Sequence, residues 1–415
     1  MSTDFKLPAR AWLMVALLFF VGLLNYLDRV MLITMRLSIK EAIPMTDAQF
    51  GLLTTVFLFV YAALCPIGGF IADRFSCSRV IVFSLFIWSA ITWLTAAATS
   101  FHELLFYRAL MGISEACYLP AAASLIANYH RNTTRGLANG IHLAGVMVGS
   151  GLGGLGGWLA EQYSWTFAFK FFGVAGIGYS FLLVAFLRDR PVDLALPRAV
   201  DAPPAEPEPI VKIGEALRSL FSRGHFIVAL FFWGLLGITS WAFAGWMPTF
   251  LSEHFNLAQG KSGLIATISI YSGSLVGMVV SGAWADRWSR SYAEGRAWVG
   301  IIGLCICVPC VVLVGNSTAL WLTVAGLVVY GVSRAFPDAN MMPILFQIAD
   351  RRYRATGYGL LNAFGTIAGG ITIYVGGALR DAHVDITKVF YSGAIGMIVC
   401  GVLLWIIRPR VTPTS

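Results

Sequence analysis

GGFIADRFSCSR, residues 68–79, and SGAWADRWSRS, residues 281–291, share the pattern Gly-x-x-Ala-Asp-Arg, and each closes a long apolar stretch. A charged Asp-Arg pair set at the end of an apolar run, then repeated in the other half of the chain, is the mark of an internal duplication. The surrounding composition says what was duplicated. The chain has 415 residues, 58% of them hydrophobic and 12% charged, with a mean hydropathy of +0.75. That is too little polar surface to cover a soluble globule of this size. The apolar segments are long enough to cross a bilayer of about 30 Å as helices, and they lack the alternation of a membrane β-barrel. The expected fold class is therefore an all-α membrane protein.

Twelve spans are expected, at 11–37, 48–72, 79–98, 104–127, 135–159, 165–187, 226–250, 261–285, 297–314, 318–348, 354–379 and 389–407. The two Asp-Arg motifs follow the second and the eighth, so the duplication is six plus six. Residues 1–187 and 226–415 form the two six-helix halves. The stretch 188–225, with Pro191, Pro197, Pro203, Pro204, Pro207 and Pro209, is the linker between them. Its last part, IVKIGEALRSLFSR at 210–223, puts Ile213, Leu217, Leu220 and Phe221 on one helical face with basic residues beside them, which suits a helix lying on the membrane surface.

The net charge of +8 reports orientation rather than nucleic acid. Arg74, Arg79, Arg131, Arg135, Arg287, Arg290, Arg296, Arg351, Arg352 and Arg354 fall in loops on the side of both termini, with Lys6, Arg10, Arg408 and Arg410 at the ends. The opposite loops carry little beyond Lys40, Lys261, Arg380 and Lys388. By the positive-inside rule both termini are cytoplasmic. The first span is longer than a signal-peptide core and no small-residue cleavage site follows it, so it is expected to be retained. Cys305, Cys307 and Cys310 lie in an apolar run with no histidine or acid nearby in sequence, so neither metal nor disulfide is expected. The glycine run SGLGGLGG at 150–157 has no preceding strand and is read as close helix packing, not a dinucleotide fingerprint.

One stretch puts charges where lipid forbids them. RALMGISEACYLP, residues 108–120, lies inside the fourth span, and the seven-residue spacing sets Arg108 and Glu115 on one helical face, about 10 Å apart along the axis. Intramembrane charges of this kind usually mark ion or substrate pathways. Asp28 and Arg29 in the first span overlap Arg108 in depth, so Asp28 can pair with Arg108 while Arg29, about 100° further round, points elsewhere. Such an acid can alternate between ionised and neutral forms as its neighbours rearrange. Glu115 has no cation adjacent in its own helix and is expected to hold a proton, either for release or as a hydrogen bond across helices. The alternative for all four groups is a static buried network that fixes helix packing.

These features resemble the major facilitator superfamily over essentially the whole chain: the Asp-Arg loop motif, its repeat, the central linker and the twelve spans. Within it, NYLDR at 25–29, the Arg-x6-Glu stretch, PAAASLIANYHRNTTRGLANGIHLAG at 120–145 and RYRATGYGLLNAFG at 352–365 look like the anion:cation symporters, whose bacterial members carry sugar acids with protons. The chain departs from the common loop motif at Ser76, where glycine is usual, and at Cys77, where a basic residue is usual. The resemblance implies that Asp28 and Glu115 bind protons, that Arg29 grips the substrate carboxylate and that Arg108 holds Asp28. It also implies hydrogen bonds from Tyr26 and Tyr61 to the anion, a polar contact at His142, and gating at Asp73, Arg74, Asp286 and Arg287.

In the tenth span, YGVSRAFPDANMMP, Arg334 and Asp338 are four residues apart across Pro337, fit either for substrate binding or for a structural pair that lets the helix bend. Asn340 and Asn362 offer amides to substrate hydroxyls. Trp241 and Trp246 either wall the cavity or sit at the membrane interface. The reading is a monomeric, multi-pass protein of a bacterial inner membrane, partnered by the lipid bilayer, a small organic anion such as a hexonate or hexuronate, and protons, without cofactor, metal or nucleic acid. A lysolipid carrier of the spinster group, which shares the Glu-Ala-x-Tyr-x-Pro pattern of Glu115 to Pro120, is the first alternative. A transport-incompetent sensor is the second, and no constellation for an enzyme is present.

Overall fold

The computed structural model describes residues 9–130, 132–189, 213–292, 294–348 and 350–408, and within them all side chains except those at 73, 132, 133, 213, 347, 351 and 355. The proline-rich part of the expected linker, and Lys6, Arg131 and Arg410, lie outside the described residues. Among the described residues, twelve helices are long and apolar enough to cross a membrane, matching the twelve expected spans one for one. The chain is an all-α, multi-pass membrane protein.

Helix α1, Ala9–Thr34, is the first span, and a short α2, Arg36–Ala42, follows it. Next come α3, Asp47–Arg74, and α4, Cys77–Thr95. The fourth span is broken into α5, Phe101–Glu115, and α6, Tyr118–Tyr129; the fifth into α7, Asn132–Leu152, and α8, Gly154–Gln162. Helix α9, Trp165–Phe186, completes the first six. Part of the segment 210–223 is helical, α10, Ile213–Phe221, with Ala216 and Leu220 buried. The last six spans are α11, Gly224–His254; α12, Gln259–Trp288; α13, Gly295–Asn316; α14, Leu320–Ile348; α15, Arg354–Asp381; and α16, Ile386–Ile406.

Two seams join the first six spans to the last six: α3 against α15, and α7 with α8 against α12. The glycine run at 150–157 makes the second seam possible. A Cβ at Gly154 would stand 2.6 Å from the Cα of Leu264, and one at Gly156 would stand 2.5 Å from the Cβ of Met31. The run thus packs α8 against α1 on one flank and α12 on the other, as small residues permit. Hydrogen bonds across the seams gather toward the end of the bundle away from the termini, called the distal end below. Thr55 donates to the Gly370 carbonyl at 2.6 Å, Thr267 to Gly151 at 2.7 Å, and Gly260 N–H to Glu161 at 2.6 Å.

Candidate functional site

The site forms where three helices meet. Asn25, Asp28 and Arg29 on α1 and Arg108 and Glu115 on α5 are all buried, Arg108 and Glu115 completely. Arg29 Nε donates to Glu115 Oε2 at 2.7 Å. The same guanidinium lies 4.6 Å from the ring of Tyr26, 4.3 Å from Tyr61 and 5.0 Å from Phe57. Phe57 and Tyr61, one turn apart on α3, stack on each other. Phe57 also faces Arg108, whose guanidinium is 4.6 Å from the ring. Two cations are therefore held by aromatic faces, the attraction growing as water is excluded.

This differs from the pairing expected from the sequence. Arg29, not Arg108, supplies the ion pair, and Glu115, not Asp28, receives it. Arg108 spends its donors on the Leu53 carbonyl, 3.4 Å from Nε, and on Met111 Sδ, 3.1 Å from Nη1. Asp28 Oδ2 instead meets the Thr92 hydroxyl of α4 at 3.2 Å. The cause is helix approach. A Cβ at Gly112 would come within 2.8 Å of the Phe57 carbonyl and one at Gly68 within 2.4 Å of Ala116 O. These glycines draw α5 onto α3, whose Phe57 and Tyr61 rings also cover the Arg29 guanidinium that Glu115 meets. The expectation that Glu115 lacks a cation weighed only its own helix.

Hydrogen-bonding capacity is left over in this buried cluster. Arg29 Nη2, Arg108 Nη2 and Asp28 Oδ1 are buried without a hydrogen-bond partner among the described residues. Native interiors rarely leave such atoms bare, and a guanidinium with a spare N–H suits an anionic oxygen.

The remaining sites expected from the sequence fall in several places. His142 is buried on α7, with Nε2 2.7 Å from the hydroxyl of Tyr118, which also reaches the Leu18 carbonyl at 3.2 Å. Arg334 and Asp338 are joined at 2.7 Å, and Arg334 Nε donates to Ser240 at 2.5 Å; the Asp338 side chain is 40% exposed. Asn340 is buried, its amide turned back to the Phe336 carbonyl of its own helix at 2.9 Å, whereas Asn362 is exposed. Trp241 is half-buried and packs with the first-half core, against Gly369 of α15. Trp246 is buried beneath the Arg380 guanidinium, 5.6 Å away. Tyr26 lies within electrostatic reach of Tyr271 and Tyr358 of the last six spans, as does Asp338 of Tyr358. Neither tyrosine was anticipated.

At the loop motifs, Arg74 is exposed over the Phe70 ring, Arg287 is exposed, and Asp286 pairs with Arg296 at 2.5 Å. The Asp73 side chain lies outside the description. Where the first motif departs from the common pattern, Asp189 accepts from the Ser76 hydroxyl and from Ser78 N–H, the latter at 2.9 Å, and so caps the start of α4.

A second charged cluster, missed in the sequence, closes the distal end. Asp47 at the start of α3 accepts from Arg36 Nη2 at 2.5 Å and from Lys40, and its other oxygen accepts from Arg380 Nε of α15 at 3.0 Å. Arg380 also holds Glu253 of α11 in a bidentate pair at 2.9 and 2.6 Å. Asp381 caps α3 from across the seam, accepting from Asp47 N–H at 2.8 Å and Ala48 N–H at 2.9 Å. The available signal was the placement of all these charges at span ends on the arginine-poor side.

Comparison with known proteins agrees with this architecture. A family model described as the Major Facilitator Superfamily matches residues 18–371 and, in a second match, 234–415. A probable galactarate/D-glucarate transporter of Escherichia coli strain K12 is 23% identical over 420 residues, covering 95% of this chain and 92% of that protein. Protein spinster homolog 1 of Homo sapiens is 30% identical over 249 residues, 59% of this chain and 46% of that protein. The crystal structure of a bacterial homolog to the human lysosomal transporter Spinster, inward-facing and unoccupied, superposes with a TM-score of 0.76 at 20% identity over 97% of this chain and 96% of that one.

Proposed function

The chain belongs to the major facilitator superfamily, and on that premise we propose that it is a proton-coupled symporter of a small organic anion, a sugar acid of the hexonate or hexuronate class, working by alternating access as a monomer in a bacterial inner membrane. The observation that carries the proposal is the buried pair between Arg29 and Glu115 at 2.7 Å. With Glu115 ionised, Arg29 is occupied. A proton on Glu115 removes its charge and frees the guanidinium, already fixed by Tyr26, Phe57 and Tyr61, for the substrate carboxylate. Proton and anion then favour each other's binding, and linkage makes the effect equal in both directions.

The other residues take roles around that exchange. Asp28 is the second proton site, and Arg108 supplies positive potential without bonding to it. Tyr26 and Tyr61 donate to the anion. Asp338, with Arg334, and Asn362 from the last six spans meet its hydroxyls, His142 steadies Tyr118, and Asn340 stiffens α14 through the Phe336 carbonyl. With both termini cytoplasmic, the distal cluster is the outer gate, held across the seam by the pair of Asp47 with Arg380. Asp73, Arg74, Asp286 and Arg287 sit at the inner gate. Uptake of labelled galactarate, glucarate, gluconate and glucuronate into proteoliposomes, with and without an inward proton gradient, tests the reading. Accumulation must require the gradient; equal uptake without it rejects symport.

A second reading is a spinster-like lysolipid carrier. The 30% identity to human spinster homolog 1 and the Glu-Ala-x-Tyr-x-Pro pattern at Glu115 to Pro120 favour it. Labelled lysophospholipid in the same vesicles separates the two: lipid movement with no sugar-acid uptake would select this reading.

A further inference from the structure

Thr92 is completely buried on α4, and its hydroxyl stands between two acceptors: Asp28 Oδ2 at 3.2 Å and the Trp88 carbonyl, one turn back, at 2.9 Å. A threonine hydroxyl has one proton, so it can donate to only one of them at a time. If Asp28 carries a proton, the carboxyl O–H donates to Thr92 Oγ1 and Thr92 donates onward to Trp88, a chain in which each proton is used once and each bond strengthens the next. If Asp28 is ionised it can only accept, and the Thr92 hydroxyl must turn away from Trp88 to serve it.

No other side chain bonds to this carboxylate among the described residues: Oδ1 has no partner, and Arg108 is committed to Leu53 and Met111. The charged groups facing Asp28 are Glu115 and Arg108 of α5, while Arg29 on its own helix is turned to Glu115. From α4 the facing group is Thr92 itself; His142 of α7 packs instead at Gly22 of α1 and is bonded to Tyr118.

We propose that Thr92 is a positioning residue for proton release, its hydroxyl rotating from the Trp88 carbonyl to Asp28 as Asp28 gives up its proton. The Asp28 O–H bond breaks, the proton passes to water, and the Thr92 proton stays on Oγ1 throughout. A bond to an ionised acceptor is roughly twice as strong as one between neutral groups. Loss of the hydroxyl therefore penalises the carboxylate more than the acid, and Asp28 keeps its proton to higher pH. The inference rests on the proton-coupled reading of Asp28 given above.

Infrared difference spectroscopy of the full-length protein in lipid, titrated with protons alone, tests it without a substrate. The Asp28 carboxyl band is identified by its loss in Asp28→Asn. In Thr92→Val, which keeps the shape and removes the hydroxyl, the midpoint of that band should rise by about one pH unit, and the C=O frequency should move up because the acid has lost its acceptor. Thr92→Ser should restore both. A band with unchanged midpoint and frequency in Thr92→Val, or a Thr92→Ser as shifted as the valine variant, overturns the proposal. If the valine protein does not fold, Thr92→Ala serves for the same comparison. Absence of any titrating Asp28 band in the wild type removes Asp28 from proton coupling and this role with it, while gradient-driven uptake tests symport separately.

Discussion

Asp47→Asn should loosen the distal end and shift the protein toward a state open there. Asp47 is bound by Arg36 and Lys40 from its own half and by Arg380 from the other, but only the last bond crosses the seam. The first two survive a rocking motion and should not bias it. What the substitution removes from the closed state is the 3.0 Å charge-assisted bond from Arg380, whose side chain is 14% exposed. Such a bond contributes about 1.5–3 kcal/mol, and at about 1.4 kcal/mol per factor of ten the ratio of distally closed to distally open molecules should fall by roughly 10- to 150-fold. Spin labels at Glu41 and Ala382, exposed on either side of the seam, would report it as a growing long-distance population in pulsed dipolar spectra. Arg380→Gln should act in the same direction and by a similar amount, because its pair with Glu253 lies within the last six spans and survives the motion. The double variant should fall short of the sum of the singles, the sign of a direct interaction. An unchanged distance distribution in Asp47→Asn, or strict additivity in the double variant, refutes the assignment of Asp47 and Arg380 as a latch.

Three further outcomes are expected. Glu115→Gln should still bind substrate yet lose gradient-driven accumulation, since the amide cannot cycle a proton; wild-type accumulation by this variant removes Glu115 from the coupling. Arg29→Lys should lower uptake at least tenfold although charge is kept, because an ammonium lacks the planar fork that bonds Glu115 and stacks on Tyr26 and Tyr61; uptake of the lysine protein within twofold of wild type would refute a specific guanidinium role. Asp385 caps α16, and the Thr387 backbone N–H holds its carboxyl below the ordinary range. A carboxylate so held stabilises the fold above its unfolded value and the benefit fades as pH falls through the lower folded value. Asp385→Ala should therefore cost about 1 kcal/mol near neutral pH and progressively less in strong acid, read as the difference in thermal midpoint between the two proteins across pH.

Much of this molecule follows from the chain read as a string. Apolar runs of spanning length force helices because lipid offers backbone groups no other partner, so the spans could be counted and paired across the Asp-Arg repeat. Buried charge at Asp28, Arg29, Arg108 and Glu115 is equally visible there, since no membrane helix carries such residues idly. Their partners are not visible. Seven residues along α5 relate Arg108 to Glu115, but nothing along a helix says that Gly68 and Gly112 let α3 and α5 close up, that Glu115 meets Arg29 of α1, or that Thr92 arrives from α4 to meet Asp28. The distal latch shows the same limit, because Asp47 and Arg380 are 333 residues apart and each alone is an ordinary charge at a span end. Periodicity and hydropathy are properties of one segment and survive its isolation; the choice of ion-pair partner is a property of contact between segments, and it exists only once helices have packed at distances set by their smallest residues.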